Sequence, residues 1–197
     1  MFFGHTYPII WGEKSPETKM PAYSYFSESK VFEEIGDFNN DGFPDMVTTD
    51  YPKRTTVYIV FGNVAGKPIP GKEIKADTTV LTIRKGDFNG DGNQDIALLI
   101  SGLKKIAIKL GDGLGGFSNS ADVVFDNESY NLHIGDFNSD GKQDIAITNR
   151  SNSLSIRQGD GLGGFTGNTE VALVSGFGKI AFSDFNGDGK LDLALVH

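Results

Sequence analysis

Short apolar segments, some alternating and some continuous, punctuate this chain at regular distances, and their lengths suit strands rather than helices. Four of them precede an acidic, glycine-containing turn: Val31–Ile35, Val80–Ile83, Tyr130–Ile134 and Lys179–Phe182. Four more follow that turn, beginning at Met46, Ile96, Ile145 and Leu193, as in Ile96-Ala-Leu-Leu-Ile100. A third strand is predicted over Val57–Phe61, Ile106–Leu110 and Leu154–Ile156, and it runs into a glycine-rich turn. That turn is clearest at Gly111–Phe117 and Gly159–Phe165; a fourth strand is predicted to return through Val123–Phe125 and Val171–Val174.

Four antiparallel strands in a unit of about fifty residues form the blade of a β-propeller. The last unit is predicted to stop after its second strand, while Tyr7-Pro-Ile-Ile-Trp11-Gly12 and Tyr23–Phe26 read as third and fourth strands. The expected fold is therefore all-β: a β-propeller of four-stranded antiparallel blades, with four repeats in a single domain over residues 1–197. Pairing an N-terminal half blade with the C-terminal half blade would close it. Two chains swapping halves into an eight-bladed ring, or a piece of a propeller of about seven blades, remain alternatives.

The turn between the first and second strands carries the candidate chemistry. Its four copies span residues 37–45, 87–95, 136–144 and 184–192, with first positions 50, 49 and 48 residues apart. Side-chain oxygens stand at positions 1, 3, 5 and 9 in every copy. These are Asp37, Asn39, Asp41 and Asp45, then Asp87, Asn89, Asp91 and Asp95. The others are Asp136, Asn138, Asp140 and Asp144, then Asp184, Asn186, Asp188 and Asp192. Three carboxylates and an amide, with a backbone carbonyl from position 7 (Phe43, Asn93, Lys142, Lys190), form a calcium donor set, because Ca²⁺ takes six to eight oxygens. Four Ca²⁺ sites are expected. Position 6 is glycine throughout, which permits a sharp reversal.

An EF-hand begins alike but needs a glutamate at position 12, where this chain has Thr48, Leu98, Ile147 and Leu195. Asx-rich hairpin turns explain a single copy without any metal. They do not explain four copies with every oxygen position intact. Magnesium suits such a loop less well, since it prefers a rigid octahedron that retains waters.

Charge agrees with the ion. The formal net charge is −8, and the loops hold twelve of the 26 acidic residues, so four Ca²⁺ would bring the total to zero. A pI of about 4.8 with scattered lysines argues against a nucleic-acid surface, and no apolar run is long enough for membrane insertion as a helix. The chain has no cysteine, so calcium would take the stapling role of disulfides. The N-terminus lacks the basic start and cleavage site of a signal peptide.

The segments Gly86–Ala97 and Ser183–Ala194 resemble FG-GAP/VCBS repeats, the units of integrin α-chain propellers, and the likeness extends over roughly residues 5–197. The resemblance implies Ca²⁺ at the loop positions named above, and a binding or adhesion module at the cell surface or outside the cell. A glycan or protein ligand on a cell surface or matrix is the implied partner, with self-association into a larger propeller left open. Integrin propellers have seven blades, so the repeat number departs from that pattern. Pro44 at position 8 is unusual but need not supply a ligand.

No catalytic constellation is legible. His5, His133 and His197 are far apart, and no nucleophile elbow, zinc-binding helix motif or phosphate loop occurs. His133 reads as a packed or partly exposed strand residue. A propeller-type polysaccharide lyase or hydrolase, or a non-catalytic part of a larger secreted enzyme, is the alternative reading, because paired carboxylates can come from distant strands. Trp11, Tyr23, Tyr25, Tyr51 and Tyr130 are candidate sugar platforms, although aromatics at strand ends more often pack in cores. Phe38, Phe88, Phe137 and Phe185 within the loops, and Phe117 and Phe165 after the glycine turns, are expected to pack. Lys85-Gly-Asp87 resembles an adhesion tripeptide, but its aspartate belongs to the loop. Asn127 and Asn149 begin glycosylation sequons.

Overall fold

Every described strand pairs antiparallel with a neighbour close in sequence, as hairpin turns between short strands require. The computed structural model describes residues 30–149, 152–173 and 179–196, and the predicted half blade at Tyr7–Gly12 and Tyr23–Phe26 lies outside them. The first sheet is the meander β1 (Lys30–Gly36), β2 (Asp45–Asp50), β3 (Thr56–Phe61) and β4 (Ile69–Lys75). The second has β5 (Val80–Gly86), β6 (Asp95–Ile100), β7 (Lys105–Gly111) and β8 (Phe117–Asn119), with β9 (Val123–Val124) also on β7. The third repeats the meander as β10 (Ser129–Gly135), β11 (Asp144–Asn149), β12 (Ser153–Gly159) and β13 (Phe165–Ala172). The fourth is a hairpin, β14 (Lys179–Ser183) and β15 (Asp192–Val196). No helix among the described residues is long and apolar enough to cross a membrane.

The predicted first three strands of each unit fall where expected. The fourth is met in part: β9 lies within the predicted Val123–Phe125 and pairs with β7, and the end of β13 overlaps the predicted Val171–Val174. In the first repeat β4 reads Ile-Pro-Gly-Lys-Glu-Ile-Lys, too polar and too broken to stand out, and it is an exposed edge where proline and lysine are tolerated. In the second repeat the outer strand splits into β8 and β9. In the third it starts at Phe165, six residues before the predicted Val171.

The sheets stack through two apolar layers. Val47, Val57 and Ile59 of the first sheet pack with Val80, Ile83, Ile96, Leu98 and Ile100 of the second. Ala97, Leu99, Ile106 and Ile108 of the second pack with Leu132, Ile145 and Ile147 of the third. Successive residues of a strand point to opposite faces, so β6 sends Ile96, Leu98 and Ile100 one way and Ala97 and Leu99 the other. That is why its sequence is continuously apolar where a half-exposed strand would alternate. Arginines tie the layers at their rims. Arg54 pairs with Glu33 and donates to the Leu81 carbonyl at 3.0 Å. Arg157 donates to the Val124 carbonyl at 3.1 Å and lies 4.6 Å from the centre of the Phe125 ring.

Candidate metal centre

The four acidic loops adopt one conformation. Position 6 is left-handed in each, with φ of 83° at Gly42, Gly92 and Gly141 and 81° at Gly189. Position 4 is left-handed too, at Asn40, Gly90, Ser139 and Gly187; glycine and asparagine accept that conformation cheaply, and Ser139 holds it within the same loop. The reversal turns the backbone N–H groups of the loop inward, and the side-chain oxygens receive them.

The position 1 carboxylate collects most of these donors. Asp37 accepts from the N–H of Asp41 at 3.1 Å and of Gly42 at 2.9 Å. Asp136 does the same with Asp140 at 3.1 Å and Gly141 at 2.8 Å. Asp87 accepts from Gly90 and Gly92, and Asp184 from Gly187, Asp188 and Gly189. The amide oxygen at position 3 (Asn39, Asn89, Asn138, Asn186) accepts the N–H of position 5, and its NH₂ donates to the position 5 carboxylate. The other oxygen of that carboxylate (Asp41, Asp91, Asp140, Asp188) accepts the N–H of Phe43, Asn93, Lys142 or Lys190 at 2.8–2.9 Å. These donors leave a mark on the acidities. The Asn93 N–H and Asn89 amide hold Asp91 below its ordinary range, and the Gly189 N–H leads the same effect at Asp184.

Position 9 lies in the most buried part of the loop. Asp45, Asp95 and Asp144 are each 0 % exposed. One oxygen of each accepts the N–H of the position 2 phenylalanine: Phe38 at 2.7 Å, Phe88 at 2.8 Å and Phe137 at 3.0 Å. The other reaches the end of the third strand and accepts the N–H of Gly62 at 2.9 Å, Gly111 at 2.7 Å or Gly159 at 2.9 Å. Burial raises the pKa of all three, and the backbone donors work against that rise. These aspartates therefore knot three strands together, a role the sequence did not disclose. Asp192 keeps the Phe185 bond at 3.0 Å.

The donor set fits calcium in kind. Every group is a hard oxygen, and each carboxylate has about four lone-pair positions, of which the hydrogen bonds above occupy only some. Convergence is less complete. Among the described residues, no three His, Cys, Asp or Glu side chains gather as a metal-binding cluster. The position 3 amide and position 5 carboxylate are bonded to each other, so accepting an ion requires them to exchange that bond for it.

The first and second loops are also covered by the repeat that follows. The glycine turn of the second repeat donates the Gly115 N–H to the Phe38 carbonyl at 3.1 Å, and that of the third donates the Gly163 N–H to the Phe88 carbonyl at 2.9 Å. Phe117 packs on Phe38 with ring centres 6.0 Å apart, and Phe165 on Phe88 at 5.7 Å. Asp112 shapes the turn by accepting from Leu114 and Gly116, and Asp160 by accepting from Leu162 and Gly164. The expected packing of the loop phenylalanines thus holds for Phe38 and Phe88, each 1 % exposed, while Phe185 is 59 % exposed.

The remaining candidates are dispersed. His133 sits in β10 against Phe182, ring centres 5.0 Å apart, and its Nε2 is buried without a hydrogen-bond partner. Tyr51 and Tyr130 are exposed; Trp11, Tyr23, Tyr25, His5 and His197 lie outside the described residues. Asn149 is buried and bonded to Ser153 and Ser155, so only the other sequon asparagine, Asn127, is exposed. A cavity of about 380 Å³ opens beside the first two sheets, where Lys75, Asp77, Lys105, Lys109, Asn119 and Asp122 surround a floor that includes Leu98 and Ile100.

Comparison with known families identifies the repeat. Residues 37–98, 87–147 and 136–195 each match the FG-GAP-like repeat. No curated protein matches the chain. Among solved structures, a chain of the Photorhabdus luminescens Tc holotoxin pore is similar over 95% of this chain at 15% identity, with a TM-score of 0.49. This chain spans 12% of the length of that one.

Proposed function

The chain belongs to the FG-GAP-like repeat family, and on that premise we propose that it is a calcium-stabilised β-propeller module that works by binding rather than catalysis, outside the cytoplasm or at the cell surface. The observation that carries the reading is the loop. One backbone conformation and one set of oxygen donors recur four times, and local turn propensity alone does not require that repetition. The ligands would be the side chains of positions 1, 3, 5 and 9 with the carbonyl of position 7. Bound calcium supplies a dication that offsets three carboxylates crowded into one turn. Asp91 and Asp184, already held ionised by backbone donors, are ready for it. The position 9 aspartates would link the loop to the end of the third strand, so order in the loop passes into the sheet.

Extracellular modules hold calcium at about 10⁻⁴–10⁻³ M. At tenfold excess over that dissociation constant each site stabilises the fold by about 1.4 kcal/mol, and four by about 5–6 kcal/mol. Native mass spectrometry in calcium and then in chelator tests the reading. Four ions per chain, falling to three in Asp91→Ala, are expected, with a lower melting temperature in EDTA. A metal-free species in millimolar calcium would defeat it.

The sheets are then blades of one ring, closed by pairing an N-terminal half blade with the C-terminal half blade. The ligand we propose is a glycan, or a protein, on a cell surface or matrix. The cavity beside the first two sheets supports the glycan. Its carboxylates, ammonium groups and amide can meet the hydroxyls of a sugar. Binding in a glycan array, lost in Asn119→Ala, is the expected result; undiminished binding by that variant would remove the cavity from the reading.

A further inference from the structure

The third repeat fills a place that the second leaves open. In β12 the Arg157 guanidinium donates to the Asn168 amide oxygen of the outer strand, and the second repeat closes over the pair. The Val124 carbonyl accepts from Arg157 at 3.1 Å, and the Phe125 ring centre lies 4.6 Å from the guanidinium carbon. Lys109 stands at the same point of β7. Each cation lies two residues before the glycine, Gly111 or Gly159, whose N–H goes to a position 9 aspartate. Lys109 likewise donates to an amide oxygen of the outer strand, that of Asn119.

The aromatic cover is absent from this second pair. Phe125 is placed by its N–H, which donates to the carbonyl of Lys104, just ahead of β7, at 2.9 Å. The residue that makes the same bond one repeat earlier is Ala76, which donates to Thr55, just ahead of β3, at 2.9 Å. An alanine thus stands where the next repeat has a phenylalanine, and Ala76 and Lys109 both line the cavity of about 380 Å³. Alternation along β7 supplies another wall. Ile106 and Ile108 pack toward the third sheet, so Lys105, the small Ala107 and Lys109 face the first.

The charges around this space are unequally committed. Lys105 is held between Asp77 at 3.3 Å and Asp122 at 2.8 Å, and Lys75 pairs with Glu73 at 3.2 Å. Among the described residues Lys109 has no carboxylate partner. An ammonium group has three donors, and Asn119 takes one of them. Three lysines against two aspartates make the lining net positive in a chain whose formal charge is −8. We propose that the cavity selects an anionic sugar, whose carboxylate or sulfate ester pairs with Lys109 while its hydroxyls meet Asn119 and Asp122. The sugar ring lies beside Ala76, in the space that the Phe125 side chain fills one repeat later. A hydrogen bond between two charged groups is about twice as strong as one between neutral groups, so an uncompensated ammonium favours the acid over a plain hydroxyl. The inference rests on the reading of this cavity as a glycan site, and adds the charge that selects the glycan.

A glycan array in which uronate-bearing and sulfated sugars stand beside their neutral counterparts reads the selection. The anionic members should bind about tenfold more tightly, and the two arms tell which acid is taken. Lys109→Met should remove the difference between anionic and neutral members. Ala76→Phe, which rebuilds the cover of the third repeat, should abolish binding to all of them and melt no lower than the parent. Neutral sugars bound as tightly as anionic ones, and still lost in Asn119→Ala, would overturn the charge selection while the glycan reading stands. An array with no bound glycan would overturn both. Undiminished binding by a folded Ala76→Phe would remove the site from the cavity. If that variant melts early, Lys109→Met decides alone, and an anionic preference that survives it would overturn the proposal.

Discussion

The second and fourth acidic loops are almost the same in sequence and nearly opposite in surroundings. Both read Asp-Phe-Asn-Gly-Asp-Gly over their first six positions and fold with the same inward hydrogen bonds. Around the second, Phe88 is 1 % exposed, Asp95 is wholly buried, and Gly163 and Phe165 of the next repeat close over the top. Around the fourth, Phe185 is 59 % exposed and Asp192 is only half-buried. Local chemistry therefore sets the shape of the loop, and the next repeat sets how much that shape contributes to stability. This is the behaviour of a repeat array, where each unit is completed by its neighbour.

The widest separation between the two loops should come from their phenylalanines. Phe88→Ala opens a cavity between the second and third repeats and should cost about 3–5 kcal/mol in urea unfolding. Phe185→Ala, measured in dilute solution, should cost less than about 1 kcal/mol, as exposed positions usually do. Equal costs would show that the fourth loop is as enclosed as the second.

The aspartates at position 9 give a smaller contrast of the same kind. Asp95→Asn keeps one acceptor and turns an NH₂ group toward a backbone N–H, leaving that donor unpaired in a buried place. A loss of about 1–3 kcal/mol is expected, since an unsatisfied buried group costs that much. Asp192→Asn should lose under about 1 kcal/mol, because water can reach the site. Both are measured in chelator, so that a lost calcium ligand does not enter. A larger loss at Asp192 would reverse the comparison.

Two left-handed glycines, one in a glycine turn and one in the fourth acidic loop, supply a third contrast. Gly115 has φ of 82° and faces the Phe61 ring where a Cβ would go, whereas Gly187 has φ of 80° and open space around it. An alanine at 187 meets only the backbone strain, about 1–2 kcal/mol. The alanine at 115 adds a steric overlap between repeats, and its thermal midpoint should fall further. Matching midpoints would mean that the turn does not hold the preceding loop in place.

What the sequence disclosed follows the range of each interaction. The loops were fully legible because their oxygens and glycines act on a backbone within five residues, as Asp37 does on Gly42. Paired strands were legible where both faces are buried, as at Ile96–Ile100, and illegible at β4, where an edge tolerates Pro70 and Gly71. The second role of position 9 was hidden because its partner lies a whole strand further on, 16 residues from Asp95 to Gly111. Position 8 looked idle for a similar reason. Gln143 acts on Asp87, 56 residues back, and only the stacking of one repeat on another brings them together.

The smallest effect falls at the junction between the covered and the bare repeats. His133 packs on Phe182 of β14, and burial, helped by the nearby Arg84 cation, lowers its pKa to about 4. An unfolded chain would protonate this histidine near pH 6.5. Between roughly pH 6.5 and 4 the unfolded state therefore binds a proton that the folded state excludes. Stability from this group is complete above that window and falls as the pH drops through it. Because the ring is only partly buried, the loss is on the order of 1 kcal/mol rather than the full shift. It should appear first as faster amide exchange in β14 and β15, while β6 stays protected. His133→Leu should remove that portion of the acid dependence in chelator and leave the carboxylate portion below it unchanged. If the leucine variant loosened the last hairpin at the same pH as the parent, the aspartates would be responsible, and the junction would be no weaker than the repeats it joins.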